Sequence, residues 1–261
     1  MVTDFNGKCA VVTGSSGIGL NAALHLARCG AKVFLGGIDP DLNKTAGEQA
    51  ATEGLDISID QVDVSDELSV KHWSNKVANE TKILHVLVNA AGLQTYGTAE
   101  NTSPSEWDRC INVNLRSCYL TSHVFYPMLK AAPSASVVHV ASVQGHSNQN
   151  NVLAYATSKG AVHALTRAMA VDSIKDGIRV NSVSPGSIQT PLLEYSASQL
   201  AKDGKSINDM IASFGALHPI GRVGTTAETS SLIAYLCSDG ASFITGADFR
   251  IDGGLTAQLG T

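Results

Sequence analysis

Apolar residues recur along the chain in two alternating patterns. Short runs rich in Val, Ile and Leu lie at 8–13, 31–35, 57–62, 83–89, 136–142, 179–184 and 243–251. Most are nearly continuous rather than apolar at every second position, which marks strands buried on both faces of a parallel sheet. Between them, helical spacing of apolar positions covers about 18–29, 40–53, 66–79, 104–130, 152–175 and 226–238. The repetition predicts stacked βαβ units with right-handed crossovers, hence a doubly wound α/β fold. One stretch breaks the rhythm. Between Ser184 and Thr225 the periodicity is weak, and a long insertion in a compact domain reads as a lid or binding segment, placed at about 187–215.

Composition narrows the class without touching the chemistry. The 261 residues are 44% hydrophobic, which excludes a disordered chain. No shift in composition and no Pro/Ser-rich linker interrupts them, so 1–261 reads as one domain. A net charge of −5 without a Lys/Arg run argues against nucleic acid or an anionic membrane as partner. No apolar run approaches the roughly 20 residues needed to span a bilayer, and an early acid followed directly by a strand is unlike a signal peptide. Five scattered cysteines without a CxxC spacing suit reduced thiols in a cytoplasmic protein, with no metal site.

Chemistry first surfaces where the first strand meets its helix, at Thr13-Gly14-Ser15-Ser16-Gly17-Ile18-Gly19. Glycines there allow a tight turn, backbone N–H groups can approach a pyrophosphate, and the helix N-terminus adds partial positive charge. The spacing G-x-x-G-x-G lacks the Lys-[Ser/Thr] pair of an ATP or GTP loop. At the end of the second strand an acid would select NAD and a basic residue NADP. Asp39 stands there, equally suited to a ribose hydroxyl or to capping the helix that begins at Pro40. With no basic residue at Ser15, Ser16, Gly37 or Ile38, the balance leans to NAD, with NADP second.

Tyr155 and Lys159 are four apart at the start of a helical pattern, so phenol and ammonium share one helix face. A nearby cation lowers the pKa of a Tyr and makes it a usable base. Ser142 falls at the C-terminal end of a strand, where doubly wound sheets bind their ligands.

Taken together, the TGSSGIG turn, Asp63-Val64, Asn89-Ala-Ala-Gly92, Asn114, Ser142, Tyr155-x-x-x-Lys159 and Pro185-Gly186 resemble the short-chain dehydrogenase/reductase family over nearly the whole chain. The resemblance implies a single-domain, Rossmann-like sheet of seven parallel strands in order 3-2-1-4-5-6-7, assembled as homotetramers or homodimers. It makes Tyr155 the acid/base, with Lys159 favouring its phenolate and bonding the nicotinamide ribose. Ser142 would position the substrate oxygen, and Asn114 would hold a water linking Lys159 to solvent. Asp63 and Val64 would lie at the adenine, and Asn89, Ala90 and Gly92 along the cofactor. Pro185, Gly186, Ile188 and Thr190 would border the nicotinamide carboxamide. The chain departs from the pattern at Ala90, where a second Asn is common. It also lacks the acid of NAD-using members at Gly37 and the Arg of many NADP-using members at Ile38.

The substrate is a small molecule, and its wall is expected from the segments after Gly92, Ser142 and Pro185, including Gln94, Gln144, His146 and Tyr195. Amide and hydroxyl groups at this density suit a polyhydroxylated ligand. Residues 142–172 are also similar to segments of sugar dehydrogenases. The first reading is therefore a sugar or polyol dehydrogenase. A carbonyl reductase of 3-oxoacyl or steroid type shares the catalytic set and would be favoured by an apolar lid. A non-catalytic cofactor-binding regulator would be expected to have lost part of it. His139 reads as a satisfied core residue, and His146 as either wall or solvated loop.

Overall fold

The computed structural model describes residues 4–201 and 204–259, so residues 202 and 203 of the expected lid, and both ends of the 1–261 domain, fall outside the described residues. The chain runs β1 (Cys9–Thr13), α1 (Gly17–Arg28), β2 (Lys32–Gly37), α2 (Pro40–Thr52), β3 (Ile57–Gln61), α3 (Glu67–Glu80), β4 (Val86–Asn89) and α4 (Pro104–Ile111). A π-helical turn at Asn112–Arg116 carries it into α5 (Ser117–Lys130), followed by β5 (Ala135–Val140), α6 (Leu153–Ser173) and β6 (Ile178–Pro185). Then come α7 (Pro191–Leu200), α8 (Ile207–Ala216), α9 (Thr226–Cys237) and β7 (Asp248–Ile251).

The strands form one parallel sheet in the order β3-β2-β1-β4-β5-β6-β7, the expected single-domain architecture. Burial explains the sequence pattern. Every residue of β4, β5 and β6 is buried, as the continuous apolar runs require, whereas the edge strands β3 and β7 are only partly covered. One face packs Ala23 and Leu26 of α1 and Ile233 and Leu236 of α9 on Val12, Leu35 and Val88. The other packs Trp73 of α3 and Phe125 of α5 on Val11, Phe34, Leu87 and Val137. The Trp73 and Phe125 rings meet edge to face, 5.3 Å between centroids at 82°, a favoured aromatic geometry.

Three expectations change. The weakly periodic stretch after Ser184 contains two helices. Thr190 caps α7, Pro191 opens it, and a Ser206–Asp209 capping box starts α8. These local signals outweigh the blurred apolar period. The run 243–251 is strand only from Asp248, because Gly246 turns the chain with φ +74° and Phe243 stands wholly in solvent. The single helix expected over 104–130 carries the π turn at its middle, and Asn114 sits in that turn. Insertions of this kind aim a side chain inward and recur at functional sites.

Candidate active site

The phosphate turn lies between the C-terminal ends of β1 and β2, where the Gly14 N–H donates to the Gly36 carbonyl at 2.8 Å. Gly14 adopts φ +95°, and a Cβ there would press on the Ala90–Ala91 backbone. A Cβ on Gly19 would run into the carbonyls of Thr13 and Gly14, so only glycine lets α1 start this close to the turn. Ser16 caps α1 without a side-chain hydrogen bond, and no acid stands in its first turn. The donors of that turn thus remain directed at an anion. This cradle fits a dinucleotide pyrophosphate.

Other expected cofactor residues brace the same edge. Thr13 Oγ1 accepts from the Ala90 and Ala91 N–H groups at 3.0 and 3.1 Å, fixing the segment after β4. Asn89 is buried, its Oδ1 accepting from Thr121 Oγ1 at 2.6 Å and its Nδ2 paired with His139 Nδ1 at 3.1 Å. His139 is only half satisfied: its Nε2 is buried without a partner, and burial, then the charge of Lys159, pushes its pKa down to about 4. Asp63 Oδ1 accepts from the Ser65 N–H and hydroxyl, with Val64 buried beside it. Asp39 is exposed, and its Oδ1 accepts from the N–H groups of Asp41 and Leu42, so of its two readings the helix cap is the one it makes.

The catalytic candidates converge on α6. Tyr155 and Lys159 are buried one turn apart, with the ammonium 5.6 Å from the phenol ring centre. Lys159 Nζ donates to the Val140 carbonyl at 2.8 Å, at the end of β5. Ser142 follows as the cap of a short turn, accepting from the Gln144 N–H at 3.1 Å. Burial raises the Tyr155 phenol to about 12, against a lowering contact from the Ser142 hydroxyl. Burial also pulls Lys159 below its ordinary value. The expectation that Lys159 lowers the phenol is thus reversed in the protein alone, because both groups lose solvent together.

Asn114 is buried in a hydrogen-bond network between the loop after β4 and α6. Its Oδ1 accepts from the Leu93 N–H at 2.8 Å, and its Nδ2 donates to the Leu93 carbonyl at 2.9 Å and to Ser158 Oγ at 3.0 Å. These bonds clamp the loop after β4 against α6. Ser158, whose hydroxyl also donates to the Tyr155 carbonyl at 2.6 Å, was missed by sequence reasoning although it adjoins Lys159.

A family model described as enoyl-(acyl carrier protein) reductase matches residues 12–256. The chain belongs to the short-chain dehydrogenase/reductase family. It is 32% identical to a cyclohexanol dehydrogenase of Acinetobacter sp. (strain SE19), over 99% of this chain and 98% of that protein. It is 34% identical to a cyclopentanol dehydrogenase of Comamonas testosteroni, over 97% of this chain and 98% of that protein. Among solved structures it superposes on the ligand-free aldohexose dehydrogenase of Thermoplasma acidophilum with a TM-score of 0.91 at 34% identity, covering 100% of this chain and 98% of that one.

In this short-chain dehydrogenase the phosphate turn, Tyr155, Lys159 and Ser142 open into one cavity of about 760 Å³. Its lining brings together Ser16, Gly17, Ile18, Ala90, Gly92, Pro185, Gly186, Ile188 and Thr190. Gln94 and Gln144 also reach it. Tyr195 and His146 stand outside the lining: Tyr195 is half exposed and tilts against Tyr96, 6.5 Å between ring centres. Tyr96 lines the cavity in their place, together with Tyr155 and Phe214, and Gln144 Oε1 is buried and unpaired. The expected lid contributes Leu192, Leu193 and Phe214 to the lining, and Leu217 follows just beyond it. Its apolar lining is the feature expected of the alternative reading.

His146 instead donates its Nε2–H to Asp248 Oδ2 at 2.7 Å and stacks on His163, 4.2 Å between ring centres at 22°. His163 bonds Ser184 Oγ at 2.9 Å and lies 3.5 Å from Asp248 Oδ1. Imidazole lone pairs lie in the ring planes, so two nearly parallel rings do not converge on one ion; they share the carboxylate. His218 pins the lid: it accepts from the Ser187 N–H at 3.1 Å and pairs with the Phe214 carbonyl at 2.8 Å. No motif announces it. Among the described residues no helix is long and apolar enough to cross a membrane.

Proposed function

We propose that the protein is an NAD(P)-dependent dehydrogenase, with NAD preferred, that oxidises a secondary alcohol carried on a hydroxylated ring, a sugar or cyclic polyol. The observation that carries this reading is the polar part of the cavity wall, Gln94, Ser142, Gln144, Tyr155 and Ser196, in which the buried Gln144 Oε1 has no partner. A buried polar group without a partner is costly, and a ligand bearing a second hydroxyl relieves that cost. The apolar lid suits the C–H face of such a ring. The names of the similar proteins, cyclohexanol, cyclopentanol and aldohexose dehydrogenase, support a ring alcohol, and the aldohexose supports further hydroxyls on it.

When bound, the dinucleotide would take the hydride from the carbinol carbon. The chain's own part is proton handling. The Ser142 hydroxyl holds the substrate oxygen beside Tyr155, which as phenolate takes the hydroxyl proton in oxidation and as phenol returns it in reduction. Lys159 offsets the phenolate charge, and the cavity walls keep bulk water from competing for the proton. The reading includes a cytoplasmic homotetramer or homodimer, which light scattering after gel filtration tests.

The leucines and Phe214 of the lid favour a second reading, a reductase of an apolar ketone of 3-oxoacyl or steroid type. Initial rates on a panel of aldoses, cyclic polyols, plain cycloalkanols, steroids and 3-oxoacyl thioesters, each with both dinucleotides, separate the two. The proposal expects the highest kcat/KM on a hydroxylated ring. Turnover confined to acyl or steroid substrates would reject it.

A further inference from the structure

Resting on the dehydrogenase reading above, we propose that Asn43 is the group that recognises the adenosine ribose, its carboxamide oxygen standing where a carboxylate borne on β2 would otherwise be. Gly37 closes β2 beside the phosphate turn, and it is buried. A Cβ built there would collide with the side chain of Ser15 and with Asn43 Oδ1, so an acid at position 37 would have to displace both. The space is filled from α2 instead. Asn43 Nδ2 donates to the Gly37 carbonyl at 2.9 Å, and this bond fixes which way the amide faces. Its Oδ1 is left buried with no hydrogen-bond partner. An oriented, unpaired acceptor next to a pyrophosphate cradle calls for a donor on the ligand, and a ribose 2′-hydroxyl is one.

The same geometry sets the choice of dinucleotide. A 2′-phosphate at neutral pH presents acceptor oxygens, which an acceptor locked in place cannot bond. Rotating the amide to offer its N–H groups would break the bond to the Gly37 carbonyl. Selection for NAD therefore works by acceptor placement rather than by net charge, and it is modest. Asp39, exposed and engaged in capping α2, is not needed for it.

The test is direct binding, without substrate: fluorescence titration of the protein with NADH and with NADPH. Wild type is expected to bind NADH more tightly by up to about tenfold, the equivalent of one hydrogen bond. Asn43→Leu should weaken NADH alone and bring the two affinities together. Asn43→Asp, which restores acceptors and adds charge, should widen the gap by weakening NADPH. Asp39→Asn, which keeps a capping side chain, should leave the ratio where it was. An unchanged ratio in both Asn43 variants, or a ratio that collapses in Asp39→Asn, overturns the assignment while leaving the dehydrogenase reading intact. Failure of wild type to bind either dinucleotide overturns that reading, and the assignment with it.

Discussion

The Lys159 ammonium lies 5.6 Å from the centre of the Tyr155 ring while donating its proton to the Val140 carbonyl. The cation is thus held close to the phenol by the end of β5 and not by the phenol itself. Replacing Tyr155 should leave that anchor in place. Tyr155→Phe is expected to lower kcat by about 10²–10⁴-fold, the usual contribution of a positioned proton-transfer group, with dinucleotide affinity little changed. Steady-state rates and binding titrations on the same preparation check both parts.

Burial holds the Tyr155 proton up to about 12 in the protein alone. A raised pKa keeps the phenol neutral through the whole neutral range, and the phenolate form grows as pH climbs towards that value. Ultraviolet difference spectra of the unliganded protein, wild type against Tyr155→Phe, should show no phenolate from Tyr155 between about pH 7 and 10. A phenolate band near neutrality would contradict the burial argument. With dinucleotide and alcohol present, the oxidation rate should rise with pH, since oxidation consumes the phenolate.

Asn114→Ala removes both partners of Leu93 at once. Orphaned amide groups of this kind cost about 1–3 kcal/mol. Urea denaturation should register a loss of that order, and activity should fall through displacement of the loop after β4 from Lys159. Full activity with full stability would show that the clamp is dispensable.

Gln144→Leu converts the polar wall beside Tyr155 into a continuation of the apolar lid. The preference for a hydroxylated ring over a plain cycloalkanol should drop by about tenfold or more, because a site built to bond a hydroxyl discriminates through that bond. The ratio of kcat/KM values for the two substrates is the measurement.

Glu228 closes the cap of α9, bonding Arg222 and the Thr225 N–H, and these contacts take its carboxyl down to about 2. A carboxyl depressed below its ordinary 4.5 contributes stability above that value and loses it as pH falls through about 2. Wild type should melt above Glu228→Gln at neutral pH, and the two curves should converge in strong acid. Solvent around the pair keeps the difference small. Thermal unfolding across pH checks it.

Much of this architecture was legible because its signals are local. Continuous apolar runs named the buried strands β4, β5 and β6, and the spacing of Tyr155 and Lys159 already placed both on one face of a helix. What stayed hidden depends on contacts between distant segments. The pairing of Asn114 with Leu93 and the meeting of His146 with Asp248 leave no trace in spacing. The two lid helices escaped because their caps, not their apolar period, define them. At Gly37 the sequence showed a missing acid, but only the packing of Ser15 and Asn43 shows what took its room.

Tyr155, Lys159 and His163 stand on successive turns of α6, and each is anchored to a different strand end or turn. The whole site therefore shares one rotational phase. A single residue inserted between 155 and 163 would swing everything beyond it by about 100°, parting His163 from Asp248 or Tyr155 from Ser142. Extra residues at 147–151, ahead of Leu153, would leave that phase untouched. Length variation that spares this rotational phase, natural or engineered, belongs on the near side of α6.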